Sequence, residues 1–347
     1  MSVVLLALAS MWLVFVVLHR ILSGRYWLWL VPDLLPPVSY LAVPLVFAAI
    51  SVPTAQHWTT GVALSAIVAG AGHSGLNPRG LGRTSEPPPG VSVLAWNTRY
   101  WDQDGGGLYD FLKTKNADVY VLQERLHGSH YHPLPAPDLH RLHEEFPEYH
   151  IAAAGELITM SRFPIVGTHP PANTRWPAEY HATKVLRTDL RLGDDVLSVY
   201  NVHIPVQYVG TDNVLSREFY ARLRDRNSTR KAQFESLYAD VRANQNMVLV
   251  TGDFNSTGAM GDMAWLFRNL NCANQAGRGF LPASWPARGL SLWQLDWTFT
   301  RGVRVHRYEF GDPHGISDHR TQELLVLPGD ARDRTQTPAE VSTRANQ

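Results

Sequence analysis

The stretch NMVLVTGDFN, residues 246–255, decides the fold of this chain. Its first half is an uninterrupted apolar run that contains β-branched side chains, and such a run predicts a strand. The run ends at Gly252 and Asp253, a pair that is common where a strand gives way to a loop. A single acid at such a position is usually a turn former or a helix cap. This stretch alone therefore predicts a strand but no function, and a functional interpretation needs comparable segments elsewhere in the chain.

Further strand-like segments lie before it in the chain. They are VSVLAWNT (91–98), ADVYVLQE (117–124), ELITMSR (156–162) and VLSVYNVHI (196–204). Helical patterns alternate with them, including a long charged one at 216–244. The polar residues that end these runs, or stand in the later segments LDWTF and GISDH, are Asn97, Glu124, His203, Asp253, Asn255, Asp296, Asp318 and His319. Polar groups at strand ends converge on one edge of a sheet, so the pattern predicts a site there.

The order of these motifs resembles that of the endonuclease/exonuclease/phosphatase superfamily, the group that contains DNase I and neutral sphingomyelinases. LAWNT, VLQE, ITMSRFPI, SVYNVHI, TGDFN, LDWTF and SDHR occur in family order within residues 91–326. TGDFN followed by SDH about 65 residues later is the most specific part. The resemblance implies an α/β fold, the four-layer α/β sandwich, with two packed sheets of mixed, mostly antiparallel strands and helices outside. Periodicity alone indicates only mixed α and β structure.

The resemblance also implies a divalent-metal site. Asn97 and Glu124 are the expected ligands, with Glu124 as the principal one and Asp318 as a third. Oxygen ligands at a few positions, with water at the rest, suit Mg²⁺ or Mn²⁺. Asp318 is also expected to pair with His319, which would fix the tautomer of the imidazole and keep it charged.

The other site residues are expected, on the same resemblance, to act on a phosphoester and on water. Asp253 orients or deprotonates the attacking water, and Asn255 holds that water or a phosphate oxygen. His203 hydrogen-bonds a nonbridging oxygen. Asp296 acts near the leaving group, through metal contact or proton delivery. The expected activity is metal-dependent phosphoester hydrolysis.

The first 83 residues differ in composition from the rest. They hold four of the 31 basic residues and one of the 31 acidic residues, so residues 84–347 carry a net charge of −3. Residues 1–72 are predicted to form a membrane anchor, with two or three hydrophobic helices at 3–18, 26–52 and 61–72. A cleaved signal peptide is the competing interpretation of the first run. Residues 73–90 are predicted to form a linker, residues 91–326 the catalytic domain and residues 327–347 a disordered tail.

The side of the membrane depends on the number of spans. Arg20 and Arg25 favour the cytoplasm, so three spans place the catalytic domain inside and two place it outside. The layout is similar to that of membrane-anchored bacterial members of the superfamily, some of them associated with teicoplanin resistance in actinomycetes. That similarity implies a multi-pass protein of the cell membrane with an extracytoplasmic catalytic domain, a role in antibiotic resistance, and a phosphorylated lipid of the undecaprenyl type, or another lipid-linked phosphoester, as substrate.

Two other functions remain as alternatives. A nuclease needs a basic groove, but the local cluster Arg222, Arg224 and Arg226 has the spacing of a solvated helix face. Nucleic acid is therefore a possible but not favoured partner. A non-catalytic scaffold on the same fold would usually have lost one of the site residues. The single Cys272 excludes an internal disulfide and a cysteine-rich zinc site.

A few residues outside these motifs allow two interpretations. His130 and His132 form a His-x-His pair that could bind metal but reads better as a solvated loop. Trp176 and Trp285 could shape a lipid or sugar pocket, or simply pack in the core.

Overall fold

The computed structural model describes residues 2–78, 89–101, 107–126, 136–169, 184–207, 213–277 and 279–329. Most of the predicted linker, nearly all of the predicted tail, the histidine pair at His130 and His132, and Trp176 lie outside these residues. We refer to the described residues within 89–329 as the α/β body. Residues 2–78 form the N-terminal module.

The described part of the α/β body contains twelve strands and four α-helices. The strands are β1 (Val91–Asn97), β2 (Val119–Gln123), β3 (His150–Ala154), β4 (Leu157–Ser161), β5 (Ile165–His169), β6 (Val185–Leu192), β7 (Asp195–His203), β8 (Met247–Asp253), β9 (Asn271–Cys272), β10 (Asp296–Arg301), β11 (Val303–Gly311) and β12 (Thr321–Pro328). After three N-terminal helices, α1 (Ser2–Leu22), α2 (Ser39–Ser51) and α3 (His57–Gly70), the body adds α4 (Gly107–Lys115), α5 (Ala136–Glu145), α6 (Arg217–Ala243) and α7 (Ala264–Asn269).

The strands form two six-stranded sheets. The first has the order β11-β12-β1-β2-β4-β3, and the second has the order β5-β6-β7-β8-β10-β9. The central pairs β1–β2 and β7–β8 are parallel, and the other pairs are antiparallel. The predicted mixed, mostly antiparallel sheets are therefore confirmed.

Three apolar clusters hold the four layers together. Val93 and Val121 of the first sheet pack against Leu197 and Leu249 of the second, which forms the layer between the sheets. On the outside, α4 and α5 cover the first sheet, while α6 and α7 cover the second. The central strands read as continuous apolar runs because each is buried on both faces.

The two parallel pairs end at the same edge of the sandwich. In the first sheet Asn97 is paired with Gln123 at the ends of β1 and β2. In the second sheet His203 is paired with Asp253 at the ends of β7 and β8. The antiparallel strand β10 begins there, so that Asp296 lies opposite Asp253. One edge of the sandwich thus collects polar ends from both sheets.

Among the described residues, α1 alone is long and apolar enough to cross a membrane. Its 21 residues correspond to about 31 Å, against roughly 30 Å of bilayer hydrocarbon. A second candidate exists only if the short 3₁₀ turns in Trp27–Leu34 are counted together with α2, to which they are bent by 62°. The helix α3 has 14 residues, or about 21 Å, which is too short for the predicted third span.

The N-terminal module packs against the α/β body rather than standing apart from it. His19 Nε2 lies 2.8 Å from the carbonyl oxygen of Ala259, and Trp293 donates from Nε1 to the carbonyl oxygen of Leu34 at 3.0 Å. At the other end of the module, the backbone N–H of Asn77 donates to the carbonyl oxygen of Phe280 at 2.9 Å. The α2–α3 hairpin therefore begins and ends beside the body, and residues 52–55 in its turn are exposed.

We predict that Gly261→Ala weakens this docking. A Cβ on Gly261 would overlap the carbonyl oxygen of Ser23, so the backbone of the module or of the body has to shift. Overpacking of this kind costs about 1–3 kcal/mol, which lowers Tm by roughly 1–4 °C. Thermal unfolding of the detergent-solubilised full chain measures the effect. The matched control is Gly61→Ala, where no atom lies within 4 Å of the added Cβ. Equal Tm values for the two variants would contradict the docked arrangement.

Candidate active site

A cavity of about 630 Å³ opens at the edge where the two parallel pairs end. Glu124, Asp253, Asn255 and His319 line its polar part. The sequence placed these side chains at strand ends, and the structure brings them together around one space. Asn97 and His203 lie directly behind this lining, in contact with Glu124 and Asp253.

The imidazole of His319 is held between two carboxylates. Its Nδ1 lies 2.9 Å from Asp296 Oδ2, and its Nε2 lies 3.7 Å from Asp253 Oδ2. Burial alone would lower the pKa of His319, but Asp296 and Asp253 outweigh burial and raise the pKa to about 10. The ring is therefore a protonated donor at neutral pH, aimed at the floor of the cavity.

The predicted pair between Asp318 and His319 is wrong. Asp318 accepts a hydrogen bond from Trp285 Nε1 at 3.1 Å, and its Oδ1 lies 3.8 Å from Arg99 Nε. The partner of His319 is Asp296, because antiparallel pairing of β10 with β8 brings Asp296 opposite Asp253 and behind the imidazole. Asp296 is fully buried there and does not line the cavity.

The burial of Asp253 depends on the glycine before it. Gly252 has a φ of +140°, and a Cβ there would overlap the carbonyl oxygen of Val202 on the neighbouring strand. This close approach lets β8 run on to Asp253, which is 1% exposed. Burial, together with the neighbouring Asp296, raises the pKa of Asp253, while His319 opposes that shift.

Two asparagines donate to the acids, and Asn97 bridges two of them. Asn97 donates from Nδ2 to Glu124 Oε1 at 2.9 Å and to Asp253 Oδ2 at 3.0 Å. Asn255 donates from its backbone N–H to Asp253 Oδ1 at 2.8 Å and from Nδ2 to the carbonyl oxygen of Ile204 at 2.9 Å. The amide hydrogens thus separate carboxylates that would otherwise repel each other.

Left-handed backbone occurs at two of the site residues. Glu124 has a φ of +60° and Asn255 a φ of +44°. This conformation is tolerated by asparagine but costs energy for glutamate. Strain of this kind persists where the surrounding structure fixes the side chain.

His203 is supported by two residues that sequence reasoning missed. Its Nδ1 lies 2.9 Å from Oε1 of Glu156, which is fully buried and forms an ion pair with the buried Lys184. Burial lowers the pKa of His203, but Glu156 outweighs burial and raises it. Glu156 stands at the start of the ELITMSR run, where a charged residue before a strand was a weak signal. Lys184 gives no signal in the sequence.

Three buried side chains of the site could supply ligand atoms to one metal ion. Asp253, Asp296 and His319 each place a potential ligand atom within 4.8 Å of the others. The charged imidazole of His319 is a donor and not a ligand, which leaves oxygen ligands. Asp296 Oδ1 is buried without a hydrogen-bond partner among the described residues, and the carboxylate of Glu124 faces the cavity. Burial raises the pKa of Glu124, a cost that a nearby cation would offset.

The predicted ligands Asn97 and Asp318 are oriented differently from Glu124. Asn97 presents its amide nitrogen to the carboxylates, and its Oδ1 accepts the backbone N–H of Arg99 at 3.0 Å. Ligation by Asn97 would therefore need a half-turn of the amide. Asp318 lines the cavity but is engaged by Trp285. The side-chain oxygens of Glu124, Asp253 and Asp296 are therefore the ligands best suited to a hard cation.

Comparison with known proteins places this architecture in a defined group. The model of the endonuclease/exonuclease/phosphatase family matches residues 94–319. A solved endonuclease/exonuclease/phosphatase from Bacteroides vulgatus is 17% identical with a TM-score of 0.51, over 70% of this chain and all of that one. Humanized D. rerio TDP2 is 15% identical with a TM-score of 0.50, over 68% of this chain and 98% of that one. Comparison with curated proteins gave no match.

Proposed function

Because the chain belongs to the endonuclease/exonuclease/phosphatase family, we propose that its α/β body is a metal-dependent phosphoester hydrolase. The observation that carries this proposal is the line Asp296–His319–Asp253, buried at the floor of an open cavity. A charged imidazole that is fixed in place, beside a carboxylate and facing a cavity, suits the hydrolysis of an anion.

The nonbridging oxygens of a phosphoester repel an incoming hydroxide. His319 donates from Nε2 to such an oxygen, and Asp296 keeps that donor protonated and aligned. Asp253 lies beside His319 and accepts a proton from the attacking water, while Asn255 holds Asp253 in place through its backbone N–H. His203 Nε2 lies 3.7 Å from both Glu124 Oε1 and Asp253 Oδ2, behind the lining of the cavity, and holds these two acids in position.

Mg²⁺ or Mn²⁺, when bound, polarises a phosphoryl oxygen as a Lewis acid. Glu124 is the principal residue that would hold it, together with an oxygen of Asp253 or Asp296, and with Asn97 if its amide turns. The buried pair Glu156–Lys184 fixes His203 beside this group of acids.

Membrane attachment is supported by the exposed apolar surface of the N-terminal module. Val3 and Met11 on α1 are 78% and 67% exposed, and Trp58 at the far end of the α2–α3 hairpin is 83% exposed. These side chains would be costly in water and favourable in hydrocarbon. In this arrangement α1 crosses the bilayer once, and the hairpin enters from the side of the body and returns to it. The proposed anchor therefore has one membrane crossing and one re-entrant hairpin, instead of the several crossings predicted from the sequence.

A phosphorylated lipid or lipid-linked phosphoester is the proposed substrate. Leu34 of the module lines the cavity, so a module held in the bilayer would keep the site near the membrane surface, where an anchored headgroup is concentrated. A nuclease has less support, because Arg222, Arg224 and Arg226 lie on α6 and do not line the cavity. A role in antibiotic resistance rests only on similarity in layout to teicoplanin-resistance members.

Metal removal tests the hydrolase proposal. The full chain in detergent should hydrolyse bis-p-nitrophenyl phosphate with Mg²⁺ or Mn²⁺. EDTA should lower the rate by at least about 100-fold, because no cation then offsets the negative charge of the phosphoryl group. Adding excess metal should restore the rate. His150→Ala, on the exposed end of β3, serves as a folded control that retains activity. Turnover that is insensitive to EDTA would remove the metal from the mechanism.

Location outside the cytoplasm is a proposal that rests on similarity to anchored bacterial members, since Arg20 and Arg25 favour the opposite side. We predict that alkaline phosphatase fused after Gln347 is active in a bacterial host, because that enzyme needs an oxidising compartment. The same fusion placed before Met1 should be inactive, since α1 separates the two ends. The reverse pattern would place the body in the cytoplasm.

A further inference from the structure

We propose that Leu34 of the N-terminal module forms, with Trp285 and Trp293 of the α/β body, a specificity wall of the active site, in which Leu34 contacts the apolar part of an amphiphilic phosphoester. This inference rests on the proposed hydrolase function and deepens it. It assigns the choice between soluble and amphiphilic substrates to a residue outside the segment that matches the family, residues 94–319.

The lining of the cavity has two chemically different parts. The floor is polar and carries Glu124, Asp253, Asn255 and His319. The apolar part consists of Leu34, Val206, Met260, Trp285, Trp293 and Leu295, and the remaining lining residues are Arg99, Tyr100, Gln207 and Asp318. A phosphate needs only the floor. A rim of two indoles and four aliphatic or thioether side chains favours an apolar group attached to that phosphate.

Leu34 is fixed in this rim by the α/β body. Its carbonyl oxygen accepts from Trp293 Nε1 at 3.0 Å, and the ring of Trp293 lies 5.7 Å from that of Trp285. The indole of Trp285 in turn donates to Asp318. Leu34 and the two tryptophans therefore form one connected wall and not three independent side chains.

A second connection runs through the residue before Leu34. Asp33 is 2% exposed and accepts from Ser23 Oγ at 2.7 Å, and the same Oγ accepts the backbone N–H of Gly261 at 2.8 Å. Gly261 follows Met260, which lines the cavity. The module thus reaches the rim from two sides, and its position sets the distance between Leu34 and Met260.

Two consequences follow for substrates. A small phosphodiester reaches the floor without contacting Leu34, so changes at Leu34 leave its hydrolysis unaltered. A phosphodiester with a long alkyl chain places that chain along the rim and towards Val206, which is 41% exposed at the mouth. Leu34 then affects kcat/KM for the second substrate only.

The experiment compares two diesters with the same leaving group, methyl p-nitrophenyl phosphate and dodecyl p-nitrophenyl phosphate. The full chain is assayed in one detergent with Mg²⁺, so that partition of the dodecyl diester into micelles is common to all variants. Leu34→Asn replaces an apolar side chain by a polar one of similar size. It should lower the dodecyl-to-methyl ratio of kcat/KM at least about fivefold, the scale of one lost apolar contact surface, with the methyl rate unchanged.

Val31→Asn is the matched control. Val31 lies in the same segment, is 44% exposed and does not line the cavity, so the ratio should stay at the wild-type value. An unchanged ratio in Leu34→Asn, or an equal fall in both variants, overturns the inference.

Two further variants distinguish an effect on substrate choice from a loss of folding. If Leu34→Asn lowers both rates, Leu34→Met and Leu34→Ala are compared, and the ratio must be lower for alanine than for methionine; equal ratios overturn the inference. If the wild-type chain hydrolyses neither diester with Mg²⁺ or Mn²⁺, the hydrolase proposal itself fails. A wild-type chain that is active, with a ratio independent of Leu34, leaves the hydrolase proposal standing and removes only the specificity wall.

Discussion

The hydrogen bond between Asp296 and His319 joins the two sheets at the place where the chemistry is expected. Asp296 begins β10 of the second sheet, and His319 precedes β12 of the first. The contact forms only if the sheets pack in one register. Buried polar pairs fix that register below the site, since Gln123 donates to Asn201 Oδ1 at 2.7 Å and Thr298 donates to Gln322 Oε1 at 2.9 Å. Such pairs in an otherwise apolar layer favour a single arrangement, because any other would leave them unpaired.

The sequence predicted much of this site because strand ends are local features. Asn97, Glu124, His203 and Asp253 each follow a run that is readable without the fold, and parallel pairing brings such ends together. The partner of His319 was not predictable in this way. Asp318 is its neighbour along the chain, while Asp296 is its neighbour only after β10 has paired with β8.

The support of His203 lay beyond sequence reasoning for a different reason. Glu156 and Lys184 are charged residues that most sequences expose, and their meaning comes from burial as a pair. The docking of the N-terminal module was missed too, because each polar contact has a backbone group on one side, such as the carbonyl groups of Leu34 and Ala259 and the N–H of Gly261, which carries no side-chain signature. The apolar composition predicted a separate anchor. The structure instead packs that segment against the α/β body, with Leu34 in the lining of the cavity.

The most direct test of this account compares Asp296→Asn with Asp318→Asn, using kcat/KM for bis-p-nitrophenyl phosphate with circular dichroism to confirm folding. Asp296→Asn keeps the shape of the side chain but removes the charge that holds the imidazole of His319 protonated and aligned. We expect a loss of at least about 100-fold in Asp296→Asn and less than about tenfold in Asp318→Asn. Equal losses, or a larger loss in Asp318→Asn, would contradict it.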